Sequence, residues 1–193
     1  VSSIGSFFVY GCSSLNEITI PSSVTEIKEY SFGCCTNLTN FEIPSSISKI
    51  GEFVFSQCSS LTEIIIPSSI TKIEGFVFSE CKSLKKVTIP SSVTEICEYA
   101  FVECSSLTEI IIPSSVSSIG DYCFSGCSSL KEIEIPSSVT KIGSWTFFAC
   151  TSLLKIKICD SLVSIGESTF SKCLSLQELN LPDSVISIGK YAF

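Results

Sequence analysis

The twelve cysteines of this 193-residue chain offer its widest range of chemistry, since a thiolate can act as a nucleophile, a metal ligand or a disulfide partner. A cysteine or serine nucleophile usually works with a histidine base, and the sequence contains no histidine. It also contains no arginine, so its 12 basic residues are all lysines. The missing histidine excludes the Ser-His-Asp and Cys-His systems, and we assign no catalytic residue.

Eight of the twelve cysteines recur every 23 residues: Cys12, Cys35, Cys58, Cys81, Cys104, Cys127, Cys150 and Cys173. Cysteines stacked at a repeat period have parallel side chains, whereas a disulfide needs a dihedral angle near 90° about its sulfur–sulfur bond. We therefore expect these eight to be free, buried and apolar in behaviour. The sequence leaves open whether one or two disulfides form among the other four cysteines, Cys34, Cys97, Cys123 and Cys159. No Cys-x-x-Cys spacing occurs, so we predict no metal site.

Other ligand classes are excluded by charge and pattern. The net charge is −7 and the lysines are scattered, so the basic footprint of a nucleic-acid-binding protein is missing. No phosphate-binding loop occurs, and we predict no cofactor. No apolar run approaches the roughly 20 residues of a membrane-spanning helix, so we expect no membrane insertion by this segment.

Proline marks a 23-residue repeat that fills the whole chain. It occurs at positions 21, 44, 67, 90, 113, 136 and 182, and Cys159 stands where the remaining one is due. We predict one array over residues 1–193, in which a partial repeat (1–20) and a final partial repeat (182–193) enclose seven full repeats: 21–43, 44–66, 67–89, 90–112, 113–135, 136–158 and 159–181. Both ends stop within a repeat, so we expect flanking repeats or caps in the full-length protein.

Each repeat predicts three short segments. Residues 63–66 are a short run rich in β-branched side chains that stops at Pro67, and this pattern predicts a strand. We expect the strand to pair in parallel with the equivalent strands of neighbouring repeats, as one sheet over eight rungs. Ile70 and Ile73 predict a second short extended piece, and the glycine that often follows is a natural place for a positive φ. Apolar residues about three apart, such as Phe101 and Cys104, predict a short helical turn.

The motif L-x-x-I-x-I-P followed by V-x-x-I-G-x-x-x-F-x-x-C resembles the BspA-like leucine-rich repeat family over the whole chain. The resemblance implies an α/β repeat solenoid, coiled as a right-handed superhelix with the parallel sheet on its concave face. It also implies adhesion or protein–protein contact and no shared catalytic residues. The substitutions are local, for example Lys28 and Cys97 in place of the recurring glycine.

The outward positions of the predicted sheet are the candidate binding surface, since function in a solenoid is carried by its continuous exposed face. The residues that we predict to bind a partner are Glu17, Glu42, Glu63, Ile65, Lys86, Glu109, Ile111, Glu132, Glu134 and Lys157. A column of aromatic residues two positions before the repeating phenylalanine is interpreted as a semi-buried cover, with a partner-binding strip as the alternative.

Two functions fit these patterns. The first is a non-catalytic scaffold for protein interaction or adhesion, whose partner is a protein such as a host or matrix protein; the resemblance favours a secreted or cell-surface location. The second is a structural or assembly element of a larger intracellular complex, which reduced cysteines in a cytoplasmic setting favour.

Overall fold

Short runs of isoleucine alternating with polar residues form strands, and the computed structural model, which describes residues 2–193, stacks these strands in successive rungs. Each rung has a front segment (as in 61–66), a side segment (69–73) and a turn segment (74–83). The front strands are β4 (Glu63–Ile65), β6 (Lys86–Thr88), β9 (Glu132–Ile135), β11 (Lys155–Ile158) and β13 (Glu178–Leu179). The side strands are β1 (Ser3–Ile4), β2 (Glu26–Ile27), β3 (Lys49–Ile50), β5 (Lys72–Ile73), β7 (Glu95–Ile96), β8 (Ser118–Ile119), β10 (Lys141–Ile142), β12 (Ser164–Ile165) and β14 (Ser187–Ile188).

All strand pairs are parallel and join residues 23 apart. Ile64 is opposite Val87 in the front segments, and Ile96 is opposite Ile119 in the side segments. The side strands form a three-stranded sheet, β1-β2-β3, and a six-stranded sheet, β14-β12-β10-β8-β7-β5. The predicted parallel solenoid is therefore confirmed, while its right-handed coil and the concave position of the front sheet stay predictions.

The front sheet is not continuous, contrary to the expectation of one sheet over eight rungs. It consists of the pair β4-β6 and the sheet β13-β11-β9, and residues 15–20, 38–43 and 109–112 lie outside any strand. Within residues 38–43, Phe41 stands where neighbouring repeats have isoleucine or valine. Its ring packs edge-on between Phe32 and Phe55, with centroids 4.9 and 4.7 Å away. The larger side chain takes up core space between those two rungs.

The predicted helical turns are wrong, and the class is an all-β solenoid, because no helix occurs in residues 2–193. Tyr99 and Glu103 have φ of 56° and 58°, in the left-handed region that a right-handed helix excludes. Alternate N–H groups of the turn segment bond across rungs, as Phe78 donates to the carbonyl of Ala100 at 2.9 Å, while those between them bond within the rung, as Ser79 donates to the carbonyl of Phe76 at 3.1 Å. A spacing of about three residues between apolar side chains occurs both in a helical turn and in this non-helical turn. The spacing alone therefore could not distinguish the two.

The core consists of the residue columns that the repeat predicts. The phenylalanines at the repeat period from Phe32 to Phe170 are buried, and successive rings from Phe32 to Phe193 stack with centroids 5.4 to 5.8 Å apart. Leucine, isoleucine and cysteine form parallel columns beside them, and each column is buried only because the rungs above and below cover it.

The recurring glycines have a different cause from the one expected. A positive φ occurs at Gly11 and Gly126, but not at Gly51, Gly120 or the others that follow the side strands. A Cβ atom added to Gly120 would lie 2.3 Å from the backbone nitrogen of Glu98, so the glycine permits close approach of two rungs. Cysteine occupies the same column at position 97 and is buried there.

Candidate interaction faces

Burial alternates along the front strands and separates an outer from an inner set of side chains. In β4, Glu63 and Ile65 are exposed and Ile64 is buried, and β6 repeats the pattern. All ten residues predicted to bind a partner are exposed: Glu17, Glu42, Glu63, Ile65, Lys86, Glu109, Ile111, Glu132, Glu134 and Lys157. Together these outward residues of the front segments are the front face.

The strand register brings some of these residues together and separates others. Glu63 is opposite Lys86, and Glu132 is opposite Lys155. Lys157 donates to Glu134 at 2.7 Å, and this hydrogen bond raises the pKa of Lys157. Glu17, Glu42, Glu109 and Ile111 lie on front segments outside the strands. The predicted set is thus one surface several rungs long, not a compact cluster.

Two adjoining shallow pockets occupy one end of the front face. The larger has a volume of about 450 Å³, and its lining includes Phe41, Ile43, Glu63 and Ile65. The second, about 420 Å³, includes Glu17, and both contain Asn40 and Glu42. We call Glu17, Asn40, Glu42, Glu63 and Ile65 the acidic end. Sequence reasoning missed the part played by Phe41, whose signal was the replacement of a recurring aliphatic residue by an aromatic one.

The opposite end of the front face has mixed charge. A pocket of about 220 Å³ lies there, and its charged lining residues are Glu109, Glu132, Glu134, Lys155 and Lys157. We call Glu132, Glu134, Lys155 and Lys157 the balanced end. The lysines stand directly beside carboxylates of adjacent rungs, so little net field remains at this end.

The outer aromatic column is a continuous ring stack. From Phe7 to Trp145 successive rings are nearly parallel with centroids 4.4 to 5.6 Å apart. Tyr30, Phe53 and the following members to Trp145 are half-buried, which agrees with the semi-buried cover predicted from the sequence. Because each ring between the two ends covers the face of the next, the interior of the column presents ring edges to solvent.

The cysteines are structural donors. All twelve are free thiols, so the disulfides left open among Cys34, Cys97, Cys123 and Cys159 do not form. In the periodic column each thiol from Cys35 to Cys173 donates to a backbone carbonyl of the preceding rung, for example Cys81 to Phe55 and Cys104 to Phe78, both at 3.1 Å. Burial raises the pKa of Cys81 to about 12, which keeps it a neutral donor. No group of three potential metal ligands gathers in the described chain.

A ladder of serines ties the corners between front and side segments in the same way. Ser92 donates to the carbonyl of Ile70 and Ser115 to that of Val93, each at 2.6 Å. The second serine of the Ser-Ser pair is therefore explained by bonds between rungs, in addition to turn chemistry. From Ser2 to Phe193, no helix is long and apolar enough to span a membrane.

Comparisons with known proteins give a consistent result. A family model described as "BspA type Leucine rich repeat region (6 copies)" matches residues 1–108 and 94–193. A leucine-rich repeat protein from Bacteroides ovatus is 32% identical, with a TM-score of 0.69 over 100% of this chain and 61% of its own. A leucine rich cell surface protein from Faecalibacterium prausnitzii is 28% identical, with a TM-score of 0.66 over 97% of this chain and 66% of its own.

A leucine-rich repeat protein from T. pallidum is 30% identical, with a TM-score of 0.62 over 91% of this chain and 71% of its own. The chain thus spans less than two thirds of the B. ovatus and F. prausnitzii proteins. The comparison with curated proteins finds no match.

Proposed function

This chain belongs to the BspA-type leucine-rich repeat family, and we propose that it is a non-catalytic scaffold that binds a protein partner through its front face. Leucine-rich repeat proteins are typically protein-interaction scaffolds, and their fold is generally non-enzymatic. The observation that carries the proposal is the alternation of buried and exposed residues along the front strands, which displays one side of every rung to solvent.

Two exposed isoleucines on this face support a contact surface. Ile65 is 67% exposed and Ile111 is 82% exposed. At the 23-residue spacing, the residues on either side of them in adjacent rungs are charged or polar: Glu42, Thr88 and Glu134. Large apolar side chains on an otherwise polar sheet gain free energy when a partner covers them. The face also offers a pattern of carboxylates and lysines that can set the partner's orientation.

The location that goes with this proposal is the cell surface. The F. prausnitzii relative is described as a cell surface protein, and adhesion to a host or matrix protein is the role we propose for this chain. A scaffold of this kind needs no cofactor, because its contribution is shape and charge.

The test uses the partner that cross-links to the full-length protein. A photoreactive amino acid is placed at Thr88 on the front face or at Lys141 on the side sheet, and cross-linked proteins are identified by mass spectrometry. We expect the photoreactive group at Thr88 to cross-link a partner protein, and the one at Lys141 to cross-link none. Replacing Glu63, Ile65, Glu109 and Ile111 by alanine should then weaken binding of that partner without lowering the melting temperature. Unchanged binding would refute the front face as the interface.

A structural element within an intracellular complex is the second candidate, and the twelve free thiols favour it. Thiol titration of protein taken from its native source without reductant separates the two. Twelve reactive thiols after unfolding support the intracellular role, whereas several missing thiols support export.

A further inference from the structure

The front face differs in charge between its two ends, and we propose that the acidic end is the docking site for an extended basic segment of the partner. The segment we infer carries lysine or arginine side chains alternating with apolar ones. This inference rests on the proposed function and specifies which part of the face makes the contact and the chemistry of the group that fills it.

No lysine lines either pocket of the acidic end, and Glu17 and Glu42 form no ion pair within residues 2–193. Lys86 is opposite Glu63 in the strand register but lies outside both pockets. Three carboxylates within three successive rungs, spaced roughly 4.8 Å per rung, repel one another in the free protein. A cationic side chain placed among them relieves that repulsion and gains attraction.

Several carboxylates elsewhere have partners within the chain, unlike Glu17 and Glu42. On the side sheet, Lys49 pairs with Glu26 at 3.0 Å. In the turns, Asp121 accepts a hydrogen bond from the backbone N–H of Ser144 at 2.7 Å. At the balanced end, Lys157 pairs with Glu134 at 2.7 Å.

Apolar surface beside the carboxylates specifies the rest of the segment. The larger pocket lies over residues 40–43, which are outside the front strands, and its lining includes the buried Phe41 and Ile43 and the exposed Ile65. Each of the two pockets lies within the roughly 300–1,000 Å³ typical of ligand sites. Apolar side chains of the partner can contact Ile65 while its cationic side chains reach Glu42 and Glu63.

The spread of these groups requires an extended partner. Three rungs cover roughly 10–15 Å, and an extended chain covers that distance with about four residues. Neighbouring side chains of such a segment point to opposite sides, so a segment seated edge-on over the pockets turns its basic residues to one side and its apolar residues to the other.

The experiment measures fluorescence anisotropy of a labelled peptide of about nine residues with alternating lysine and leucine, titrated with the whole chain at low and high salt. The variant E42K with E63K removes the acidic end, and the variant E132K with E134K is the matched control. Both change the net charge by the same amount, so non-specific attraction weakens equally. We expect the dissociation constant to rise about tenfold more in the first variant than in the control, with a weaker salt dependence.

Two further variants separate charge from apolar contact and guard against misfolding. E42Q with E63Q should weaken binding in the same direction by a smaller factor. I65S should weaken binding while leaving the salt dependence unchanged. Circular dichroism melts check that each variant folds as the parent does.

Equal weakening in the acidic-end and balanced-end variants would overturn the inference, since net charge alone would then explain the binding. Equal binding of a peptide with glutamate in place of lysine would overturn it as well. The cross-linked partner distinguishes this failure from failure of the proposed function. If front-face alanine variants lose that partner and E42K with E63K does not, the scaffold role stands and the acidic-end site falls.

Discussion

The rings of Phe78 and Phe101 lie face to face in adjacent rungs, with centroids 5.4 Å apart and planes 10° apart. Both side chains are buried, and neither has enough neighbours within its own rung to exclude water. The contact therefore couples two repeats that are identical in design, and the same contact recurs along the whole column. Stability of the array depends on such couplings between rungs more than on any one repeat.

Replacing Phe78 by alanine should lower the free energy of unfolding by about 3–5 kcal/mol, because the cavity left behind removes contact with two neighbouring rungs. Urea denaturation followed by circular dichroism measures the change. Phe193, at the end of the column and 58% exposed, is the matched control. Its replacement by alanine should cost much less. Equal losses at both positions would contradict the account of a core built between rungs.

The repeat period allowed the core to be predicted and left the turn side unpredicted. A 23-residue spacing places Phe78 over Phe101 whatever the local backbone does, so the column follows from the sequence. The backbone at Tyr99 does not follow, because a left-handed φ at an aromatic residue has no signature in the apolar spacing. The carboxylates of the acidic end are visible in the sequence. The two pockets that these carboxylates line depend on where the front strands begin and end, which only the structure shows.

The buried thiols should make the protein less stable in alkali. Burial raises the pKa of Cys81 to about 12, whereas an unfolded cysteine titrates near 8.5. Between about pH 8.5 and 12 the unfolded chain has lost this proton and the folded chain keeps it, so stability falls as pH rises. The stability that the Cys81 thiol contributes is fully present below pH 8.5. Burial raises the pKa of other column thiols, such as Cys104, so they act in the same direction.

The variant Cys81→Ser isolates one of these titrations, since a serine hydroxyl can donate to the Phe55 carbonyl and does not ionise in this range. Its unfolding free energy should decline less steeply between about pH 9.5 and 11, by about 1.4 kcal/mol per pH unit. Denaturant titrations at several pH values give the slope. An identical slope in parent and variant would show that Cys81 ionises as readily folded as unfolded.

The outer aromatic column combines ring stacking with a backbone conformation that bulky residues avoid. Phe76 has a φ of 57° and its ring stacks at 4.4 Å on both Phe53 and Tyr99. Replacement by alanine removes the stacking and keeps the left-handed strain, whereas replacement by glycine removes both. We expect Phe76→Gly to be more stable than Phe76→Ala by about 1 kcal/mol, the reverse of the usual order. Thermal melts of the two variants provide the comparison, and a more stable alanine variant would contradict the strain.

The glycine that follows most side strands gives a test of how closely the rungs approach. A Cβ atom at Gly120 would lie 2.3 Å from the backbone nitrogen of Glu98, and one at Gly5 would meet nothing within 4 Å. Gly120→Ala should therefore destabilise the protein by about 1–3 kcal/mol, since backbone atoms must move to admit the methyl group. Gly5→Ala should be neutral or stabilising by up to about 1 kcal/mol, because alanine restricts the unfolded chain. Urea midpoints of the two variants decide the matter, and an equal effect at both positions would mean that glycine is retained here for a reason other than close approach.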